Sequence, residues 1–190
     1  MKNRVGVANW ITLSRLALGP LFLLVYLTNW PGARLAGLIV AIIIEATDVA
    51  DGWTARARGE TSDIGKLLDP LADAVSRISY FIGFLVYGYA QAWMIAVLVY
   101  RDVGVAYMRT LAALQGKAVG RRSSGKWKGI LQGTVAIAIL ALDVFNFPWL
   151  RPYFSHIVYI LMLIVTVYTG YTLIDYLYGN RRILKELHWR

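Results

Sequence analysis

Six stretches of this chain come close to the roughly 20 residues at which an apolar helix crosses a bilayer, and nothing else in the sequence restricts its fold so strongly. They lie at 13–29, 34–55, 66–89, 91–115, 127–147 and 153–178. Gly, Pro, Asn and charged residues mark the breaks, as in "NWPGAR" at 29–34, "RARGETSDIGK" at 56–66 and "QGKAVGRRSSGK" at 115–126. The expected architecture is an all-α integral membrane protein of six transmembrane helices in a single domain, 1–190. Within it, 1–12 is a short interfacial segment, 13–178 the six-helix core and 179–190 a basic tail. The N-terminus has the basic-then-apolar order of a signal peptide. It shows no small-residue cleavage site, however, and Arg15 interrupts the apolar run, so a retained first helix is expected.

The net charge of +9 comes from 20 Lys and Arg against 11 Asp and Glu. In a soluble protein this would suggest nucleic acid. Here the basic residues flank apolar spans, which fits anionic lipid and membrane topology and argues against a nucleic-acid partner. Lys2, Arg4, Arg56, Arg58, Lys66, Lys117, Arg121, Arg122, Lys126, Lys128, Arg181, Arg182, Lys185 and Arg190 fall on one side of a six-span arrangement, and Arg34 and Arg151 on the other. Both termini and the 56–66 link are therefore expected in the cytoplasm. Trp30, Trp149, Tyr153, Tyr178 and Trp189 sit where interfacial anchors belong. Arg15, Arg77, Arg101 and Arg109 fall inside or at the edges of spans, where an ionisable group needs a partner or a function. Cysteine is absent, so any metal must use oxygen or histidine, and His156 and His188 are too isolated for zinc.

The stretch "DVADGWTARARGETSDIGKLLDPLAD", 48–73, places four Asp residues in two pairs. Asp48 and Asp51 are three apart and Asp69 and Asp73 four apart, so each pair projects from one helix face. The short link makes the two helices antiparallel neighbours, and the pairs can meet at similar depth. Four carboxylates in a partly dry site repel strongly unless cations neutralise them. Oxygen-only ligation suits Mg²⁺ or Mn²⁺, with Ca²⁺ next, and two divalent ions would balance the charge. Such a pair commonly serves phosphoryl chemistry. Gly52 lets a ligand approach the backbone, Ala55 keeps the same face low, Arg56 can fork onto a phosphate, and Gly65 opens the next helix. The simpler reading takes Asp69, just before Pro70, as an N-cap, and Arg77 as an i,i+4 partner for Asp73.

The pattern D-x2-D-G-x2-A-R-x8-G-x3-D-x3-D is matched without a gap by Asp48, Asp51, Gly52, Ala55, Arg56, Gly65, Asp69 and Asp73. It resembles the signature of the CDP-alcohol phosphotransferases. The resemblance implies a six-helix membrane enzyme, a homodimer, that moves a substituted phosphoryl group from a CDP-linked donor to an alcohol and releases CMP. It assigns two divalent ions to Asp48, Asp51, Asp69 and Asp73, the CDP moiety to Gly52, Ala55, Arg56 and Gly65, and the role of general base to Asp73.

On the fourth span, Arg101 and Arg109 are eight apart and share a face. With Arg121, Arg122, Lys126 and Lys128 they could form an anionic pocket for a phosphorylated acceptor. This region, with Gly125, Lys126, Lys128 and Gln132, resembles the phosphatidylglycerophosphate synthase branch, as do "NWITLSR" (Asn9, Thr12, Arg15) and "LDPLAD". That branch implies CDP-diacylglycerol as donor, glycerol 3-phosphate as acceptor and a cytoplasm-facing site in a bacterial-type plasma membrane. Ala74 stands where the branch has Lys, which keeps inositol phosphate or another polyol phosphate open as acceptor. The Asp signature by itself also fits a soluble CDP-alcohol donor with a lipid acceptor. The basic residues read equally as topology anchors. "GRRSSGKW" fails as a P-loop because Trp127 follows the Lys. A divalent-cation transporter would spread its acids through the membrane depth rather than cluster them, and a lipid-binding scaffold leaves the Asp spacing unexplained. Arg77, Asp143 and Asp175 receive no role from the sequence.

Overall fold

The computed structural model describes residues 7–58, 63–116 and 122–181, with side chains described for 12–50, 68–116 and 122–181. Its helices are α1 (Val7–Tyr26), α2 (Ala33–Arg58), α3 (Asp63–Val86), α4 (Ala92–Leu114), α5 (Ser123–Phe145) and α6 (Phe154–Gly179), with one 3₁₀ turn, Arg151–Tyr153, leading into α6. The described residues are thus all-helical, as expected, and three of their breaks use left-handed backbone. Gly88 (φ 74°) and Gly116 (φ 68°) follow α3 and α4, and Asn146 (φ 40°) ends α5 while its N–H donates to the Leu142 carbonyl.

Two of these helical stretches, α5 and Arg151–Gly179, are long and apolar enough to cross a membrane on length and composition alone. In α1 the apolar part is the shorter Thr12–Tyr26. The helices α2, α3 and α4 carry Glu45, Asp48, Asp69, Asp73, Arg77, Arg101, Asp102 and Arg109, and these charges lower their hydropathy. The helix boundaries also differ from expectation. The first helix is already formed at Val7, inside the expected 1–12 interfacial segment, and α5 begins at Ser123 rather than 127, which puts Lys126 on the helix as well as Lys128. Pro70 lies inside α3, so Asp69 is not the N-cap that its position before a proline suggests.

Packing follows from small residues that admit large ones. α1 packs against both α2 and α3, α5 against α2, α3 and α6, and α4 against α3 and α6. Tyr26 of α1 is fully buried between Gly37 and Gly83. A Cβ on Gly37 would stand 2.7 Å from the Tyr26 ring, and one on Gly83 2.9 Å from it. Phe22 and Tyr87 each pack on that ring at a centroid distance of 5.0 Å, and Tyr80 packs on Phe22 at the same distance.

One end of the bundle is closed by a polar staple. Asp143 of α5, buried, accepts hydrogen bonds from Tyr26 (3.0 Å), Tyr89 (2.7 Å) and Arg34 (2.8 Å), joining α1, the α3–α4 connection, α2 and α5. The neighbouring Tyr87 hydroxyl donates to the Tyr26 carbonyl at 2.9 Å. This gives Asp143 a partner set that its sequence position did not announce.

The outer surface is apolar in stripes. On α6, Ile160, Ile164, Val167, Tyr171 and Ile174 are exposed at spacings of three and four, as are Leu35, Ile39 and Ile42 on α2. Contiguous apolar faces of this kind are unfavourable in water and are stable against lipid or another protein.

Candidate active site

At the end of the bundle opposite the Asp143 staple, the C-terminal half of α2 and the first half of α3 flank α1. Because adjacent helices run antiparallel, Asp48 on α2 and Asp69 and Asp73 on α3 reach one place. They meet at Arg15 of α1, whose side chain is only 2 % exposed. Its guanidinium donates to Asp73 at 2.9 Å, lies 3.6 Å from Asp69, and also donates to Asp48. The Thr12 hydroxyl, one turn before Arg15, donates to Asp69 at 2.8 Å. Gly19 keeps α1 close to α3 here, since a Cβ on it would sit 3.1 Å from Val75.

The expected convergence of Asp48, Asp69 and Asp73 is therefore present. Asp51, Gly52, Ala55 and Arg56 lie on the backbone of α2 and Gly65 on that of α3, and their side chains are outside the described residues. Arg15 is the group whose role the sequence reading left open, although its position inside an apolar span was the available signal. Among the described residues, no set of three acidic or histidine side chains is spaced to hold a metal ion by itself. The donor chemistry nevertheless fits a hard divalent cation. Three carboxylates from two helices face one point, each remains about half exposed, and their charge already demands a cation, a demand that the Arg15 guanidinium meets.

One turn deeper, Arg77 pairs with Glu45 of α2 and not with Asp73, correcting the i,i+4 reading. Arg77 is buried, so a full counter-charge on the facing helix offsets its desolvation better than a half-exposed carboxylate along its own helix.

The basic residues divide into two groups. Arg101 of α4 donates to Thr172 of α6 at 3.0 Å and to its neighbour Asp102 at 2.8 Å, and Lys128 of α5, buried, donates to both Asp102 oxygens at 2.7 and 2.8 Å. Arg109 lies over the Tyr176 ring at 5.8 Å, so Arg101 and Arg109 both face α6, as their spacing predicts. Gln132 donates to Thr169 at 3.1 Å. Its Oε1 is buried with no hydrogen-bond partner among the described residues, which leaves polar capacity beside these cations. Arg122, by contrast, is drawn to Asp175, which also accepts from Ser124, and Gly179 leaves room for its guanidinium. Lys126 is exposed, and Arg121 lies outside the described residues. Asp102 and Asp175, neither singled out as a site residue beforehand, are thus the acids that order the basic cluster.

Comparison with known proteins points the same way. The family model for CDP-alcohol phosphatidyltransferase matches residues 5–169. A CDP-diacylglycerol–glycerol-3-phosphate 3-phosphatidyltransferase of Bacillus subtilis (strain 168) is 35% identical over 156 residues, covering 76% of this chain and 79% of its own length. The protein of the same name from Treponema pallidum (strain Nichols) is 28% identical over 154 residues, with 74% and 71% covered. That from Sodalis glossinidius (strain morsitans) is 27% identical over 191 residues, covering 96% of this chain and 99% of its own.

Proposed function

Because the chain belongs to the CDP-alcohol phosphatidyltransferase family, we propose that it transfers the phosphatidyl group of CDP-diacylglycerol to glycerol 3-phosphate, releasing CMP and forming phosphatidylglycerophosphate. The observation that carries this reading is the gathering of Asp48, Asp69 and Asp73 on Arg15, at the same end of the bundle as Arg101 and Lys128. The donor and acceptor are those in the names of the relatives just described.

In the proposed reaction the acceptor hydroxyl oxygen bonds to the β-phosphorus of the donor, and the bond from that phosphorus to the bridging oxygen breaks. The electron pair leaves on CMP, and the hydroxyl proton passes to Asp73. Gly52, Ala55, Arg56 and Gly65 form the floor for the CDP moiety. Arg101, Arg109, Arg121, Arg122, Lys126 and Lys128 supply the acceptor-phosphate pocket, with Asp102 holding Arg101 and Lys128 in place. Asp48, Asp51, Asp69 and Asp73 would hold two divalent cations, Mg²⁺ or Mn²⁺, and what these supply is neutralisation of the donor diphosphate and of the charge growing on CMP.

The proposal extends to the setting. The single domain 1–190 crosses the membrane six times, with both termini and the site facing the cytoplasm, and works as a homodimer. The apolar stripes on α2 and α6 and the Lys and Arg asymmetry support the membrane reading. A donor taken laterally from lipid and a soluble acceptor arriving from the cytoplasm suit a site at that interface.

The test is CMP release by the purified protein in detergent with Mg²⁺ and CDP-diacylglycerol, comparing glycerol 3-phosphate, inositol 1-phosphate, free inositol and serine. Turnover with glycerol 3-phosphate alone supports the proposal. Turnover with a different acceptor keeps the phosphoryl chemistry and overturns the acceptor assignment. Absence of CMP release with every acceptor overturns the donor assignment.

A further inference from the structure

The two helices that carry the Asp residues are joined by a ladder of three cross-connections. The first is Asp48 to Asp73 through Arg15, the second the Glu45–Arg77 ion pair, and the third the Tyr80 hydroxyl donating to the Ala41 carbonyl at 3.4 Å. Read inward from the site, the rungs use positions 48, 45 and 41 on α2 and 73, 77 and 80 on α3. Each step is one helical turn, so the rungs register the two helices against each other.

The middle rung is the tightest part of the ladder. Arg77 is buried, Glu45 is mostly so, and Gly133 of α5 backs the pair. A Cβ on Gly133 would overlap the Glu45 carboxylate and stand 2.5 Å from the Arg77 guanidinium. A side chain at that place would push the Glu45 and Arg77 tips from where they now stand, so the pair occupies the space that the glycine leaves open. The absence of a side chain on α5 and the charges on α2 and α3 therefore describe one fitted contact among three helices, directly beneath the carboxylates.

We propose that Glu45 and Arg77 are positioning residues for the phosphoryl-transfer site, their ion pair, seated on Gly133, setting the register at which Asp48 and Asp73 face each other. This rests on the function proposed above, in that its effect on turnover is an effect on that reaction. The pair touches no substrate and acts through the carboxylates one turn away. Its loss lets α2 and α3 slide or part, and displacement of reacting groups by about 1 Å costs on the order of 100-fold in rate.

The chain has no cysteine, so α2 and α3 can be spin-labelled cleanly at two exposed apolar positions, Val49→Cys and Leu71→Cys. The distance distribution between the nitroxides is then measured in detergent, alongside CMP release, in the parent and in Glu45→Gln, Arg77→Gln, Gly133→Ala and the exchanged pair Glu45→Arg with Arg77→Glu. The expected result is a broadened or shifted distribution in each single variant. A fall in kcat of about 10- to 100-fold should accompany it, with substrate KM values held within about twofold, and the exchanged pair should recover the narrow distribution. Unchanged distance distributions in folded single variants overturn the proposal. So does a fall in kcat with no change in distance, since Arg77 would then act on substrate directly. If Arg77→Gln does not fold, Gly133→Ala, which keeps both charges, decides through the same distance measurement. A parent with no turnover under any acceptor overturns the functional reading, and the distances still decide the role of the pair.

Discussion

The Arg15 guanidinium stands 2.9 Å from the Asp73 carboxylate, and the two groups come from helices that are adjacent only through folding. The same guanidinium is shared with Asp48 and Asp69, so one buried cation answers three carboxylates among the described residues. The protein thereby carries its own partial counter-charge at a place where an incoming divalent cation would also be attracted.

Replacing Arg15 by Gln leaves the three carboxylates without that charge. In a chelator the variant should lose about 1–3 kcal/mol of stability, because the charged hydrogen bonds of the buried guanidinium are gone while the half-exposed carboxylates remain partly screened by water. Added Mg²⁺ should restore more of the melting temperature in the variant than in the parent. Thermal unfolding in detergent, with EDTA and with Mg²⁺, measures both; an equal Mg²⁺ response in the two proteins would show that Arg15 is not the counter-charge.

Asp73→Asn keeps the shape of the side chain and removes its ability to take a proton. CMP release should fall by at least about 10³-fold while the helical content by circular dichroism stays unchanged, since general-base contributions commonly reach 10²–10⁴-fold and the cation loses a ligand as well. Activity within tenfold of the parent would remove Asp73 from the role of base.

Lys128 makes two hydrogen bonds to Asp102 from a buried position beside Arg101. Lys128→Met should raise KM for glycerol 3-phosphate by about 10- to 100-fold, the range for losing a charged contact to phosphate, with KM for CDP-diacylglycerol unchanged. Steady-state kinetics with each substrate varied in turn gives the answer, and a rise confined to the lipid donor would place Lys128 in the donor site instead.

At the opposite end, Asp143→Ala removes the acceptor shared by Tyr26, Tyr89 and Arg34. Leaving these donors unanswered should cost about 3–5 kcal/mol in stability while kcat at low temperature stays within about twofold. Thermal melting and turnover measured on one preparation distinguish this structural staple from a catalytic group, which would lose kcat first.

Leu114 and Trp149 are exposed at opposite ends of the bundle. With no native cysteine, a membrane-impermeant maleimide should label Trp149→Cys on intact spheroplasts and Leu114→Cys only after the membrane is opened. The reverse pattern would invert the topology and put the Asp cluster on the outside.

The sequence alone carried a large part of this protein. Apolar lengths and polar breaks located the helices of the described residues to within about four residues, except for the start of α1, which lies six residues earlier than expected. α5 starts at Ser123 and not at 127 because the last residues of the polar break "QGKAVGRRSSGK", 123–126, form the first turn of the helix. The Asp spacing placed Asp48, Asp69 and Asp73 on facing surfaces because helical periodicity is a local property, readable from residue numbers.

Partner choice was not local, and only the tertiary structure decided it. Spacing offered Asp73 to Arg77, while the fold gave Arg77 to Glu45 and Asp73 to Arg15, because a buried guanidinium needs the counter-charge that the facing helix brings closest. Asp143, without a role in the one-dimensional reading, joins Tyr26, Arg34 and Tyr89 from distant parts of the chain. The glycine at 133 likewise means nothing along α5 and a great deal against α2 and α3. Periodicity and composition determined the helices and which charges face inward; the distances and burial that pair those charges exist only once the helices have packed.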